Sequence, residues 1–151
     1  MLENSVLIVG GGHAGVEAAM ALSRMKVCCS IITLDKEAVG RLSCNPAIGG
    51  LAKSHLVKEI DALGGIMGVA ADFCAIQFKT LNKTKGRAVW ATRAQVDKKK
   101  YPIYINSLIN KNKYIKIIED EATEIICKNN QIKGLKLKKH GNVSSRAVII
   151  T

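Results

Sequence analysis

Aromatic side chains are scarce in this chain, at 4% of 151 residues, with one Trp, three Tyr and two Phe. A core of the usual size must therefore be built from Ile, Val, Leu and Ala, which suits a buried parallel sheet better than an antiparallel sandwich. No run of 18 or more apolar residues occurs, so no transmembrane helix is expected. The N-terminus Met1-Leu2-Glu3-Asn4 has no basic stretch and no small-residue cleavage site, which argues against a secretory signal. The five cysteines, at 28, 29, 44, 74 and 127, form no CxxC and no Cys/His metal spacing. They read as reduced thiols in a cytosol-like compartment, with no metal site. No internal repeat and no low-complexity linker breaks the sequence.

What is present is enough for a folded domain: 48% hydrophobic and 23% charged residues. The net charge of +11 is unevenly placed. Residues 1–75 hold 6 Lys/Arg and 7 Asp/Glu, whereas residues 76–151 hold 17 and 5. This asymmetry suggests a nucleic-acid or other polyanion partner; a composition biased towards Lys, Asn and Ile would produce it equally well.

Ser5–Val9 is a short apolar run that ends at Gly10 and reads as a buried strand. Ala14–Met25 is rich in good helix formers. Val27–Leu34 is a second apolar strand, so the segment reads as a βαβ unit with parallel strands. Lys36–Pro46 reads as a loop and Leu51–Leu63 as a helix stopped by Gly64-Gly65. Ala75–Phe78 suggests a short strand, and residues 79–90 a basic irregular segment. Thr92–Asn110 looks helical, with a break expected at Pro102. The tail reads as strands: Tyr114–Glu119, then a hairpin of Ala122–Lys128 and Ile132–Lys138 around Asn129-Asn130-Gln131, then Ala147–Thr151. The last strand is expected to be unpaired, a liability for solubility.

Gly10-Gly11-Gly12-His13-Ala14-Gly15 fits G-x-G-x-x-G between the first strand and the first helix. In that pattern Gly10 permits the tight turn, Gly12 lets the backbone approach a pyrophosphate, and Gly15 lets helix and strand pack closely. The helix N-terminus then faces the phosphates with its N–H groups and positive dipole end. Asp35 falls 20 residues after Gly15, where a ribose-binding carboxylate is expected; the alternative is a cap on a solvated loop. His13 occupies an x position and is either a contact near the ligand or a tolerated residue. The fold class is thus α/β, a Rossmann-like dinucleotide-binding domain with a parallel sheet plus a β-hairpin or meander.

Four stretches say more than the fold: residues 10–21 (Gly-Gly-Gly-His-Ala-Gly-Val-Glu-Ala-Ala-Met-Ala), 43–50 (Ser-Cys-Asn-Pro-Ala-Ile-Gly-Gly), 55–65 (His-Leu-Val-Lys-Glu-Ile-Asp-Ala-Leu-Gly-Gly) and 91–95 (Ala-Thr-Arg-Ala-Gln). In this order they closely resemble the GidA family, across essentially the whole chain. The resemblance implies an FAD-binding domain of glutathione-reductase type and a tRNA-modifying enzyme. That enzyme contributes to adding a carboxymethylaminomethyl group at carbon 5 of wobble uridine, with FAD, NADH and methylenetetrahydrofolate. It also implies a GTPase partner, a homodimer at full length and a cytoplasmic home, or alternatively an organelle matrix. FAD contacts map onto Gly10, Gly11, Gly12, His13, Ala14 and Gly15, with a backbone contact at Ala122 on the adenine side; Asp35 departs from the family pattern as a better ribose acid than many relatives have. The Cys of the second stretch maps onto Cys44, near the flavin. There it is either a nucleophile, since a thiolate added to carbon 6 of uridine activates carbon 5, or a small residue packed beside the ring.

Family members run to several hundred residues. Residues 1–151 are therefore expected to be the N-terminal part of a single, incomplete FAD-binding domain, without the rest of that domain, the NAD-binding insertion and the helical C-terminal region. Alone, the chain is expected to bind FAD weakly and to aggregate. The alternative functions are a folate- and FAD-dependent tRNA uridine methyltransferase and an inactive FAD-binding fragment. Finally, Lys79, Lys83, Lys85, Arg87 and Arg93 bracket Trp90, so phosphate contacts and a stacking ring fall in one segment. Lys98-Lys99-Lys100 extend it; a solvated basic face is the plainer reading.

Overall fold

The computed structural model describes residues 5–151. In chain order the elements are β1 (Val6–Val9), α1 (His13–Arg24), β2 (Cys29–Thr33), β3 (Ala47–Gly49), α2 (Lys53–Ala62), α3 (Met67–Cys74), β4 (Ala75–Leu81), β5 (Ala91–Val96), α4 (Lys100–Asn110), β6 (Ile115–Glu119), β7 (Ala122–Lys128), β8 (Gln131–Leu137), β9 (Gly141–Ser144) and β10 (Ala147–Ile150). They form two compact units. One is residues 5–40 together with Asn106–Thr151; the other is Arg41–Ile105.

The first unit holds a parallel sheet in the order β10-β1-β2-β6 and an antiparallel meander β7-β8-β9. Register pairs Leu7 with Ser30 and Val148, and Ile32 with Val9 and Ile118, so these residues share one face of the sheet. Leu7 and Ile32 join Leu135 and Leu137 of the meander in a buried cluster, with Val9, Ile118, Ala122, Val143 and Val148 packed around it. Ile8 and Ile31 point to the opposite face and are equally buried. On that face the Cys29 thiol donates to the Ala19 carbonyl of α1 at 3.8 Å. Both sides of the sheet are covered, which is why β1 and β10 are short continuous apolar runs rather than alternating ones. Each of these large side chains contributes roughly 1.5–3 kcal/mol on burial. Burial, with Cys28 alongside, also pushes the Cys29 thiol up to about 11, which makes it an inert core residue.

The hairpin turn sits where the paired asparagines put it. Asn129 and Asn130 take φ of 52° and 56°, and Gln131 is already in β8, paired with Lys128. Two left-handed residues between antiparallel strands match the right-handed twist of the ribbon. The last strand corrects the expectation made for it: β10 pairs in parallel with β1 from Val6↔Ala147 to Val9↔Ile150. It is an edge strand, but not an unpaired one.

The second unit is an antiparallel sheet in the order β3-β5-β4 with α2 and α3. Here the expected long helix over Thr92–Asn110 is corrected. Residues 91–96 form the central strand of the sheet, and the helix begins only at Lys100. The Asp97 carboxylate accepts from the N–H groups of Lys99 and Lys100 at 2.8 and 2.9 Å and caps the start. Pro102 therefore lies in the first turn, where a missing N–H costs little, and breaks nothing.

Ser54, in the first turn of α2, is 4% exposed and its hydroxyl has no hydrogen-bond partner among the described residues. It lines a cavity of about 230 Å³ with Ile48, Val57, Ala71, Phe78 and Ala94. A buried hydroxyl without a partner costs about 1–3 kcal/mol. Ser54→Ala is accordingly expected to raise the thermal unfolding midpoint by roughly 2–4 °C. A lowered midpoint in the same melt would mean that the hydroxyl is satisfied by water in the cavity.

Candidate functional site: the glycine loop at the switch point

In the β10-β1-β2-β6 order the chain runs outward on both sides of β1, so the topological switch lies between β1 and β10. Ligands of open α/β sheets bind beyond the carboxyl ends of the strands at such a point. The Gly10–Gly15 loop leaves β1 at that end.

Each glycine has its own reason. Gly10 has φ +115°, and its N–H donates to the Ile32 carbonyl at 2.9 Å. A Cβ there would lie 2.5 Å from the Thr151 hydroxyl oxygen and 2.7 Å from its carbonyl oxygen. A Cβ on Gly15 would lie 2.1 Å from the Gly10 carbonyl oxygen, so this glycine sets how closely α1 approaches the sheet. On Gly12 a Cβ would meet nothing within 4 Å. Gly12 is exposed and forms the N-cap of α1 with no capping side chain, and the first turn carries no acidic residue. The helical ladder begins at Val16, whose N–H donates to the Gly12 carbonyl at 3.0 Å. The N–H groups of Ala14 and Gly15 thus have no partner within the helix. Open space in front of a positive, uncapped helix end fits an anionic group such as a pyrophosphate.

Gly11 is tied to the segment that follows β2. The Gly40 N–H donates to the Gly11 carbonyl at 2.9 Å, and a Cβ on Gly11 would be 3.0 Å from the buried Val39 and 3.1 Å from the Thr33 hydroxyl. Asp35 is in this segment, two residues past β2 and exposed. Its Oδ1 accepts from the Glu37 N–H at 2.9 Å and caps a short turn over Lys36–Ala38. The second carboxylate oxygen takes no hydrogen bond among the described residues. His13 begins α1 and is half-buried; Ala14 is exposed. Ala122 starts β7 opposite Leu137 and, like Val9, packs against the buried cluster of Leu7, Ile32, Leu135 and Leu137.

Cys44 belongs to the other unit. Its thiol is exposed and free, and β3 separates it from the start of α2 at Lys53.

One feature near the site carries no motif. Asp120 follows β6 and is 3% exposed. Its N–H donates to the Thr33 carbonyl at 2.9 Å. Its carboxylate accepts from the N–H groups of Glu121 at 2.7 Å, Lys139 at 3.1 Å and His140 at 3.0 Å, and lies 2.6 Å from His140 Nδ1. Burial alone would raise its pKa. The His140 ring and the backbone donors outweigh that and hold the carboxyl well below the usual range. The only signal in the sequence was an acid directly after a strand.

The family model described as glucose inhibited division protein A matches residues 5–151. The chain belongs to the GidA family. It is 49% identical over 146 residues to the tRNA uridine 5-carboxymethylaminomethyl modification enzyme of Campylobacter fetus, covering 97% of this chain and 24% of that one. The corresponding enzyme of Aquifex aeolicus is 46% identical over 149 residues, covering 99% and 24%. A crystal structure of Aquifex aeolicus GidA superposes with a TM-score of 0.93 at 45% identity, over 98% of this chain and 24% of that one. This GidA-family chain therefore spans about a quarter of the length of the relatives it matches.

Proposed function

We propose that this chain holds the ADP half of FAD on the Gly10–Gly15 loop and forms part of an enzyme that adds a carboxymethylaminomethyl group at carbon 5 of wobble uridine in tRNA. The observation that carries the reading is the open, uncapped N-terminus of α1 behind Gly12, at the switch point of the sheet. The names of the relatives support the reaction.

The pyrophosphate would sit against the N–H groups of the first turn of α1, with His13 and Ala14 at its edge. The free oxygen of Asp35 would take a ribose hydroxyl, and the backbone at Ala122 would border the adenine. Bound FAD would supply two-electron redox chemistry. NADH as reductant, methylenetetrahydrofolate as one-carbon donor, a GTPase partner and a homodimer complete the scheme. We assign the nicotinamide site and the partner-binding region to length outside these 151 residues, which would then be the N-terminal part of one FAD-binding domain. The exposed Cys44 thiol is the candidate nucleophile for carbon 6 of the uracil ring, an addition that makes carbon 5 reactive. The reaction would take place in the cytoplasm.

The test is nucleoside analysis of tRNA from cells in which the gene carrying this sequence has been deleted. The expected result is loss of the carboxymethylaminomethyl group from wobble uridine, with the methyl group of the thymidine loop intact. The opposite pattern would make this a uridine methyltransferase and sink the proposal.

A further inference from the structure

The hairpin of β4 and β5 collects five basic residues and no acid between Lys79 and Arg93. Register places Lys79 directly across from Arg93. Two like charges at facing positions repel, and no acidic residue pairs with either among the described residues. Residues 83–90 of the connecting loop are all exposed, and they bring Lys83, Lys85 and Arg87 to its surface.

Trp90 closes the loop. Its indole N–H donates inward to the Lys85 carbonyl at 3.1 Å, so the ring's one polar atom is already satisfied. Trp90 is nonetheless 38% exposed, with the Arg87 guanidinium over its ring at 5.8 Å from the centroid. The Asn82 side chain donates to the Val89 carbonyl at 3.4 Å and holds the other end of the loop. An aromatic face fixed at the surface among cations that have no acidic partner among the described residues is the combination by which proteins grip unpaired nucleotides: cations hold phosphates and the ring stacks on a base.

We infer that the β4–β5 hairpin is a contact site for single-stranded RNA, with Trp90 stacking on an unpaired base and Lys79, Lys83, Lys85, Arg87 and Arg93 on the flanking phosphates. That the RNA is tRNA rests on the function proposed above; the stacking site itself does not.

Trp90 is the single tryptophan of the chain, so its fluorescence reports this site alone. The experiment titrates the 151-residue chain with a ten-nucleotide oligouridine and, separately, with inorganic polyphosphate. Tryptophan emission is read together with the anisotropy of end-labelled RNA. Oligouridine is expected to quench the emission, and polyphosphate to bind without quenching. Trp90→Ala should weaken oligouridine binding roughly five- to a hundredfold. Replacing Lys83, Lys85 and Arg87 with Gln should lower the slope of log affinity against log salt by about 2. The same charge change at the exposed Lys111, Lys128 and Lys133 should leave quenching in place. RNA that binds without quenching, or polyphosphate that quenches equally, would overturn the inference. Neither result touches the tRNA nucleoside analysis. Conversely, quenching that persists when that analysis fails would leave an RNA-binding hairpin in a protein of another function.

Discussion

Gly15→Ala is expected to lower the thermal unfolding midpoint by roughly 6–12 °C and to abolish FAD binding with it. The added Cβ would lie 2.1 Å from the Gly10 carbonyl oxygen. No rotamer relieves this, because Cβ is fixed by the backbone, and the obstacle is backbone too. Gly10 cannot yield easily. Its N–H is bonded to the Ile32 carbonyl, and Thr151, which crowds it, donates to the Val9 carbonyl at 2.9 Å. The strain must instead push α1 off the sheet and open the packing of Val16 and Ala19, 3% and 0% exposed. Gly12→Ser is the control that separates fold from ligand. With φ −73° and ψ −174°, the residue before α1 already has N-cap geometry, and serine is a better cap than glycine by a few tenths of a kcal/mol. This variant should melt at or slightly above the parent midpoint. Its hydroxyl would take the N–H groups a pyrophosphate needs, so FAD affinity, followed by flavin fluorescence, should fall roughly ten- to a hundredfold. Parent-like melting of Gly15→Ala, or parent-like FAD binding by Gly12→Ser, would remove the physical basis given to these glycines.

The two glycines were legible in the sequence because their constraints are local: strand, turn and helix lie within a few residues, and no distant partner decides them. The strands Val6–Val9 and Cys29–Thr33 were legible because burial on both faces leaves an unbroken apolar run in the first and a mainly apolar one, interrupted by Ser30, in the second. Residues 91–96 misled for the opposite reason. Ala, Arg and Gln favour helices, and pairing with neighbours on both sides overrode that preference. β3 has three residues, and α3 has eight with Gly68 among them, too few to show a period. Asp35 caps the Lys36–Ala38 turn, and the sequence could not separate that role from a contact to a ribose, since both require an acid just after β2. Asp120 was missed altogether. Its carboxylate partners at Lys139 and His140 are 19 and 20 residues away, and they meet it only because the meander folds back.

Asp120→Asn should consequently be among the most damaging substitutions outside the loop, lowering the unfolding midpoint at neutral pH by several degrees. The two carboxylate oxygens face three backbone N–H groups and one ring nitrogen. Asparagine offers one acceptor and turns the other position into a donor aimed at donors, so at least one buried N–H loses its partner. The damage is not confined to that corner. The Asp120 N–H holds the Thr33 carbonyl, and the Lys36 N–H donates to Glu119 Oε2 at 3.3 Å, so the segment carrying Asp35 hangs on the same turn. FAD affinity should weaken along with stability. The pH dependence identifies the charge as the cause. A carboxyl held below its ordinary value of 3.8 contributes stability that is complete above that value and is lost as the pH falls through it towards the folded-state value. The parent protein should therefore lose stability steeply below about pH 4, while Asp120→Asn, with no proton to take up there, loses less. Midpoints measured at pH 7, 5, 4 and 3 should converge towards the acid end. Curves that stay parallel over that range would show that Asp120 acts by shape alone.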